Sequence, residues 1–146
     1  MTEYAIRRYP GEATIADAHR VRRFVFIDEQ DVSEAEEMDG RDEDAVHVVA
    51  YDTDESRPVG TARLRVPQAA VGKIERVAVL EAYRGEGIGV QLMETLEAEA
   101  REQGCRQITL HAQTAVEAFY DRLGYRTVSD VFMEADIPHV EMEKEL

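Results

Sequence analysis

A single cysteine, two lysines and no long apolar run are what this 146-residue chain offers least of, and each scarcity excludes something. Cys105 alone cannot build an internal disulfide framework or a thiolate metal cluster. It follows Gly104, an expected helix stop, so a small buried hydrophobe suits it better than a nucleophilic thiol. No stretch approaches the roughly 18 apolar residues of a membrane helix, and Met1-Thr2-Glu3-Tyr4 lacks the basic-then-apolar start of a secretory signal. The expected location is the cytoplasm, with no membrane partner. His47, His111 and His139 are too scattered for a metal-ligand motif, so no metal is expected.

What the chain has in excess is acid. Thirty-one Asp and Glu outnumber 17 Lys and Arg for a net charge of −14, and lysine occurs only at Lys73 and Lys144. Such a chain repels phosphate backbones, which argues against a nucleic-acid partner. Two readings of the acid excess stand. Acids spread along the whole chain, with lysine depleted, fit a surface built for a high-salt (halophilic) cytoplasm, where screening removes self-repulsion. The other reading is an acidic site for a cationic substrate.

Length suits one domain, residues 1–146, with a genuine core. The patterning predicts a strand over 3–9, then a helix with Ile15, Ala18, Val21 and Val25 on one face. Thr14 with Asp17 resembles a capping box for that helix, and Arg20, Arg22 and Arg23 fall mostly off the apolar face. Residues 28–44 read as an irregular or short-helical acidic loop. An antiparallel hairpin follows over 46–51 and 59–66, then a strand over 73–80. Ile88, Leu92, Leu96 and Ala100 form an i, i+4 stripe on a long helix that Gly104 ends. A strand over 107–112, a helix over 115–123 stopped by Gly124, and strands over 125–128 and 140–144 complete the order β-α-β-β-β-α-β-α-β-β. That order is an α/β or α+β mixture around one twisted sheet.

Three glycines at alternate positions, Gly85, Gly87 and Gly89, join the strand over 73–80 to the long helix. Glycines let backbone N–H groups approach a ligand, and a helix N-terminus adds free donors and positive dipole, so the segment is an anion cradle suited to a diphosphate. It lacks the Lys-Ser/Thr of a P-loop and the spacing of the dinucleotide fingerprint. Arg84-x-x-Gly87-x-Gly89 resembles the pyrophosphate loop of the GCN5-related N-acetyltransferase (GNAT) superfamily. Ala118-Phe119-Tyr120-Asp121-Arg122-Leu123-Gly124-Tyr125 resembles that superfamily's Ala-x-x-Phe-Tyr-x-x-x-Gly-Phe/Tyr signature. Arg22-x-x-Val25-Phe26-x-x-Glu29-Gln30, Glu37-x-Asp39-x-x-Asp42, His47 and Asp136-Ile137-Pro138-His139-x-x-Met142 are similar to an ElaA-like group within it. The likeness spans roughly residues 20 to 146.

The resemblance implies a GNAT fold and an acetyl-CoA-dependent N-acetyltransferase acting by direct transfer to a small-molecule or peptide amine. It implies backbone donors from Glu86, Gly87, Ile88, Gly89 and Val90 around the diphosphate, with Arg84 as a cationic contact. A side chain at Gly89 is expected to crowd that diphosphate. The backbone of Val77 and Val79 would pair with the pantetheine arm. Tyr120 would protonate the departing thiolate as general acid, while Phe119 and Tyr125 serve the core. Glu75 is a base candidate; strand alternation puts it with Val77 and Val79, opposite Arg76. A structural role for Glu75 stands beside that reading. Gln113 and His111 occupy positions for a coenzyme or substrate contact, though asparagine is common in the family where this chain has Gln113. Arg22, Glu29, Asp39, Asp42 and His139 are acceptor-site candidates, with loop-stabilising roles as the alternative for Glu29 and Asp39. His47 also reads as a buried, paired histidine. Relatives pair into dimers, which leaves a homodimer open. A non-catalytic acyl-CoA sensor and a partner-binding domain with a vestigial loop are the competing functions.

Overall fold

A computed structural model describes residues 3–10 and 15–146. Its elements follow the expected order: β1 (Tyr4–Pro10), α1 (Ala16–Arg22), α2 (Glu34–Glu37), β2 (Val46–Asp52), β3 (Arg57–Gln68), β4 (Val71–Val79), α3 (Ile88–Glu102), β5 (Gln107–Gln113), α4 (Glu117–Arg122), β6 (Arg126–Thr127), β7 (Phe132–Glu134) and β8 (Ile137–Glu145). In space the sheet runs β1-β2-β3-β4-β5-β8-β6, with β7 also paired to β8. β1 to β4 form an antiparallel meander, β4 and β5 are parallel across α3, and β5 pairs antiparallel with β8. This is the mixed, helix-flanked sheet that the resemblance implies. The capping box involving Thr14 lies outside the described residues. Ser33 instead caps α2, its side chain accepting the Glu36 N–H.

The α3 stripe is as the 3.6-residue period requires: Ile88, Leu92, Leu96 and Ala100 are all buried against the sheet. Burying each large side chain stabilises the fold by roughly 1.5–3 kcal/mol. The helix closes on Gly104 (φ +83°), where the Cys105 N–H reaches the Ala100 carbonyl at 2.9 Å and the Gly104 N–H reaches Arg101 at 3.0 Å. That paired bond is a Schellman closure, and it puts Cys105 into the core.

Three features depart from simple patterning. First, α1 does not end at Arg22 but widens into a π-helix over Arg23–Glu29. Arg22, expected off the apolar face, is instead fully buried, while Arg20 and Arg23 are exposed. Second, β4 carries a β-bulge. Glu75 pairs with Arg63 and Ala78 with Thr61, so Arg76 and Val77 together oppose Ala62, and Arg76 takes a left-handed φ of +59°. Third, β8 begins at Ile137, so Pro138 lies inside the strand rather than before it. It pairs with Met133 of the short β7.

Candidate active site

β4 and β5 are hydrogen-bonded for only three residue pairs, Val71–Gln107, Gly72–Ile108 and Lys73–Thr109. Beyond them the strands diverge, and the backbone of β4 from Ile74 to Val79 has no β5 partner. This open seam leads to the glycine loop. Leu80 is anchored by its N–H to the Val59 carbonyl (2.8 Å), a short 3₁₀ turn spans Glu81–Tyr83, and α3 starts after Gly87. Gly87 sits at φ +85° as the N-cap of α3, and no side chain caps the helix. Only glycine adopts that backbone without strain, and the first-turn N–H groups stay available to an anion. Gly89 has a packing task of its own. A Cβ there would lie 3.1 Å from Phe119 Cζ, so its bareness admits the Phe119 ring.

Tyr120 lies on α4, which packs on β5. Its ring is buried edge-on against Phe119 (5.0 Å) and Tyr125 (6.1 Å), and its hydroxyl makes no hydrogen bond among the described residues. Burial pushes its pKa upward, which keeps the phenol protonated at neutral pH, as an acid must be. Tyr125 is a core residue whose hydroxyl donates to Glu97 at 2.7 Å.

The bulge overturns the expected facing of Glu75. By register Glu75 and Ala78 share one face with Arg63 and Thr61, while Ile74 and Val79 share the other with Leu64 and Gly60. Arg76 does not point away from Glu75's surroundings: it reaches Asp39 at 3.3 Å, the carboxylate that Arg63 also binds. Glu75 accepts from Arg65 (2.5 Å) and Arg63 (3.2 Å), with Lys73 at 3.8 Å. Burial alone would raise its pKa, but these cations pull it below the usual carboxylate range. A carboxylate held by three cations is a weak base, so its position favours the structural role.

Arg22 and Asp42 are not open to an acceptor. Arg22 binds Glu37 and Asp42 (2.7 Å), and Asp42 also receives the buried Arg63 (2.9 Å) and the half-buried His19 (3.0 Å). Burial opposes the charge on Asp42, yet Arg22, His19 and Arg63 hold its pKa well below normal. Asp39 is more exposed; burial again opposes ionisation, but Arg63 and Arg76 lower it to about 2. His47 donates from Nε2 to the Asp42 carbonyl (3.0 Å), and burial lowers its pKa, so it is the buried, paired histidine.

Two links run from the end of the π-helix, one to each side of the seam. Glu29 forms a two-pronged pair with Arg84 (2.7 and 2.8 Å), and Arg84 Nε donates to the Val79 carbonyl (2.9 Å). The Arg84 hydrogen bond lowers the Glu29 pKa. The neighbouring Gln30 exchanges amide hydrogen bonds with Gln113 of β5, the shorter at 2.8 Å. Thus Arg84 and Glu29, expected at different subsites, meet each other, and Gln113 meets Gln30. A cavity of about 400 Å³ lies beside the Glu29 link, between Phe24 and Asp28 of the π-helix and Leu80–Tyr83; no residue of β5 or α4 lines it.

On the far flank of the seam, His139 is buried. Its Nδ1–H donates to the Ile137 carbonyl (2.7 Å), its ring stacks on Phe132, and its Nε2 lies 3.6 Å from Glu134. His111 Nδ1 is 3.0 Å from the same Glu134. Sequence reasoning missed Glu134, Phe132, Gln30 and Arg63. The available signal was the nearness of Glu134 to the Ile137-Pro138-His139 motif.

A strand seam here opens onto an uncapped helix N-terminus, with a buried phenol on the next helix. The Acetyltransferase (GNAT) domain family matches residues 14–146, and the chain belongs to that family. The N-acetyltransferase YjcF of Bacillus subtilis, itself uncharacterised, is 39% identical over 92% of this chain and 95% of its own length. Among solved structures, Escherichia coli ElaA superposes with a TM-score of 0.81 at 30% identity, covering 99% of this chain and all of that one. An acyl-CoA N-acyltransferase from Pseudomonas aeruginosa gives 0.80, also at 30% identity, with 99% of each chain covered.

Proposed function

We propose that this protein transfers the acetyl group of acetyl-CoA directly to a primary amine of a small molecule or peptide. The observation that carries the proposal is the seam between β4 and β5, which ends at the uncapped start of α3. The diphosphate binds the N–H groups from Glu86 to Val90, and the pantetheine amides take the place of the missing β5 partner along Val77 and Val79. Arg84 moves from Glu29 to the diphosphate when the coenzyme arrives, exchanging a partly exposed carboxylate for a more highly charged anion. The amine enters from the face that carries Glu75, His111 and Gln113, with Asp39 and His139 at its edges. Its nitrogen attacks the thioester carbonyl, the carbon–sulfur bond breaks, and Tyr120 gives its proton to the thiolate.

Titration calorimetry with acetyl-CoA, followed by a free-thiol assay with a panel of primary amines, tests the reading. Saturable binding with thiol release that depends on added amine is expected. Absence of acetyl-CoA binding would overturn it, and binding without amine-dependent release would favour an acyl-CoA sensor.

A further inference from the structure

We infer that His111 is the base that takes the proton from the acceptor ammonium, oriented for that task by Glu134. The inference rests on the acetyltransferase reading above and adds a residue role to it. Lys73 and Thr109 are the last paired residues of β4 and β5, and partners in a parallel ladder face the same side. His111, two residues beyond Thr109, therefore stands on the face of Lys73 and Glu75, on the opposite lip of the seam from Glu75. The ladder with β8 places Glu141 opposite His111 and His139 opposite Gln113 on that same face.

The two lips differ in chemistry. Glu75 has its carboxylate filled by Arg65 and Arg63, with Lys73 close by. On the other lip, Glu134 Oε1 lies 3.0 Å from His111 Nδ1. The hydrogen bond from His111 is the largest influence on Glu134; with Lys73 adding to it, it outweighs burial and holds the Glu134 pKa below the usual carboxylate range. An ionised carboxylate only accepts, so His111 donates its Nδ1–H, and in the neutral ring Nε2 is then the nitrogen that carries the lone pair. The groups facing His111 are Glu134 on β7, Glu141 and His139 on β8, and Lys73 on β4. Glu141 is 3.7 Å from Nε2, too far to occupy it with a hydrogen bond. Phe132 meets the His111 ring edge-on at 5.0 Å and stacks on His139 at 6.0 Å, which fixes the orientation of both imidazoles. The side chain of His111 keeps 28% of its surface open to solvent, so a substrate can reach it.

The protons balance. Nε2 takes one from the ammonium, and the freed amine attacks the thioester carbon. As the carbon–sulfur bond breaks, Tyr120 protonates the thiolate. The nitrogen sheds its second proton to restore Tyr120, and the imidazolium returns its proton to solvent. One proton is released for each acetyl group transferred. Glu134 is the positioning residue, and His111 is the group that touches substrate.

Two measurements decide the matter. Nitrogen-15 NMR of the histidine side chains in the full chain, with His111 assigned by its loss in His111→Gln, reads the tautomer without any acceptor. A neutral ring protonated at Nδ1 and bare at Nε2 is expected, and Glu134→Ala should shift it toward the Nε2–H form. A parent ring protonated at Nε2 would overturn the inference. The second measurement is kcat/KM against pH, using whichever of ethanolamine, putrescine, glucosamine and glycinamide the parent acetylates fastest. His111→Gln should lose about 10²- to 10⁴-fold where the amine is an ammonium, with the deficit shrinking as pH rises toward the amine's own pKa. Acetyl-CoA affinity, measured by calorimetry, should not change. Coincident pH profiles would overturn the inference while leaving the acetyltransferase reading intact, and a parent that binds no acetyl-CoA would remove that reading itself. Should His111→Gln misfold, His111→Asn supplies the same assignment, and the tautomer of the parent ring still decides.

Discussion

At the scale of single residues, the site separates an acid from groups that look acidic or basic but are already engaged. Tyr120 is buried with a raised pKa, and its hydroxyl makes no hydrogen bond among the described residues, which suits the proposed proton transfer to a thiolate. Tyr120→Phe keeps the packing on Phe119 and Tyr125 and removes only that proton. We expect kcat to fall at least about tenfold, and up to the 10⁴-fold typical of a strong general acid, with acetyl-CoA affinity nearly constant. Steady-state rates and calorimetry on the purified variant check this; unchanged kcat with chemistry limiting would mean that solvent protonates the thiolate. Arg22, Asp42 and Glu75 show the converse case. Their residue types suggested contact with a ligand, yet Arg22 and Asp42 pair with each other and Glu75 is engaged by Arg65 and Arg63. Type and motif were legible in the sequence at these positions. Occupancy was not, because it depends on which charges the fold brings within reach.

At the scale of elements, α3 and α4 are joined through one missing methyl group. Gly89 lets the Phe119 ring lie against the start of α3, and Phe119 in turn packs on Tyr120. Propensity alone says that Gly89→Ala in a helix should stabilise by up to about 1 kcal/mol. The contact at 3.1 Å says otherwise, so we expect a lower melting temperature, restored when Phe119→Leu is added. Thermal melts of the two single variants and the double variant check this; a stabilising Gly89→Ala would mean that the ring yields freely. Most elements could be read from the chain, since the α3 stripe, the hairpin and the glycine stops each follow a local period. The bulge and the π-helix could not. Each inserts extra backbone without altering residue types, so the alternation carried from Glu75 to Val79 went wrong by one residue at Arg76 and Val77. Likewise Val25 keeps its buried place in the stripe, while the wider winding leaves Phe24 exposed and turns Glu29 and Gln30 toward the seam.

At the scale of the whole molecule, the net charge of −14 acts together with a core network of paired arginines and carboxylates. The surface acids repel one another over a distance that falls from about 10 Å at 0.1 M salt to about 3 Å at 1 M, whereas the buried pairs are screened much less. Melting temperature should therefore climb with KCl, most steeply at low concentration, with sucrose as the control for general exclusion. A melting temperature indifferent to salt would refute the high-salt reading and return the acid excess to a cationic substrate. Within this charged shell, Glu29 and Gln30 are sequence neighbours fastened to opposite sides of one opening. They act as a two-point clasp, and two-point attachment obeys the arithmetic of tethering: while one fastening holds, the other meets its partner at high effective concentration. In the proposed reaction, a coenzyme that draws Arg84 away undoes one point only. Gln30 keeps the helix end in register, so once the spent thiol leaves, reclosure is an intramolecular step that needs no search.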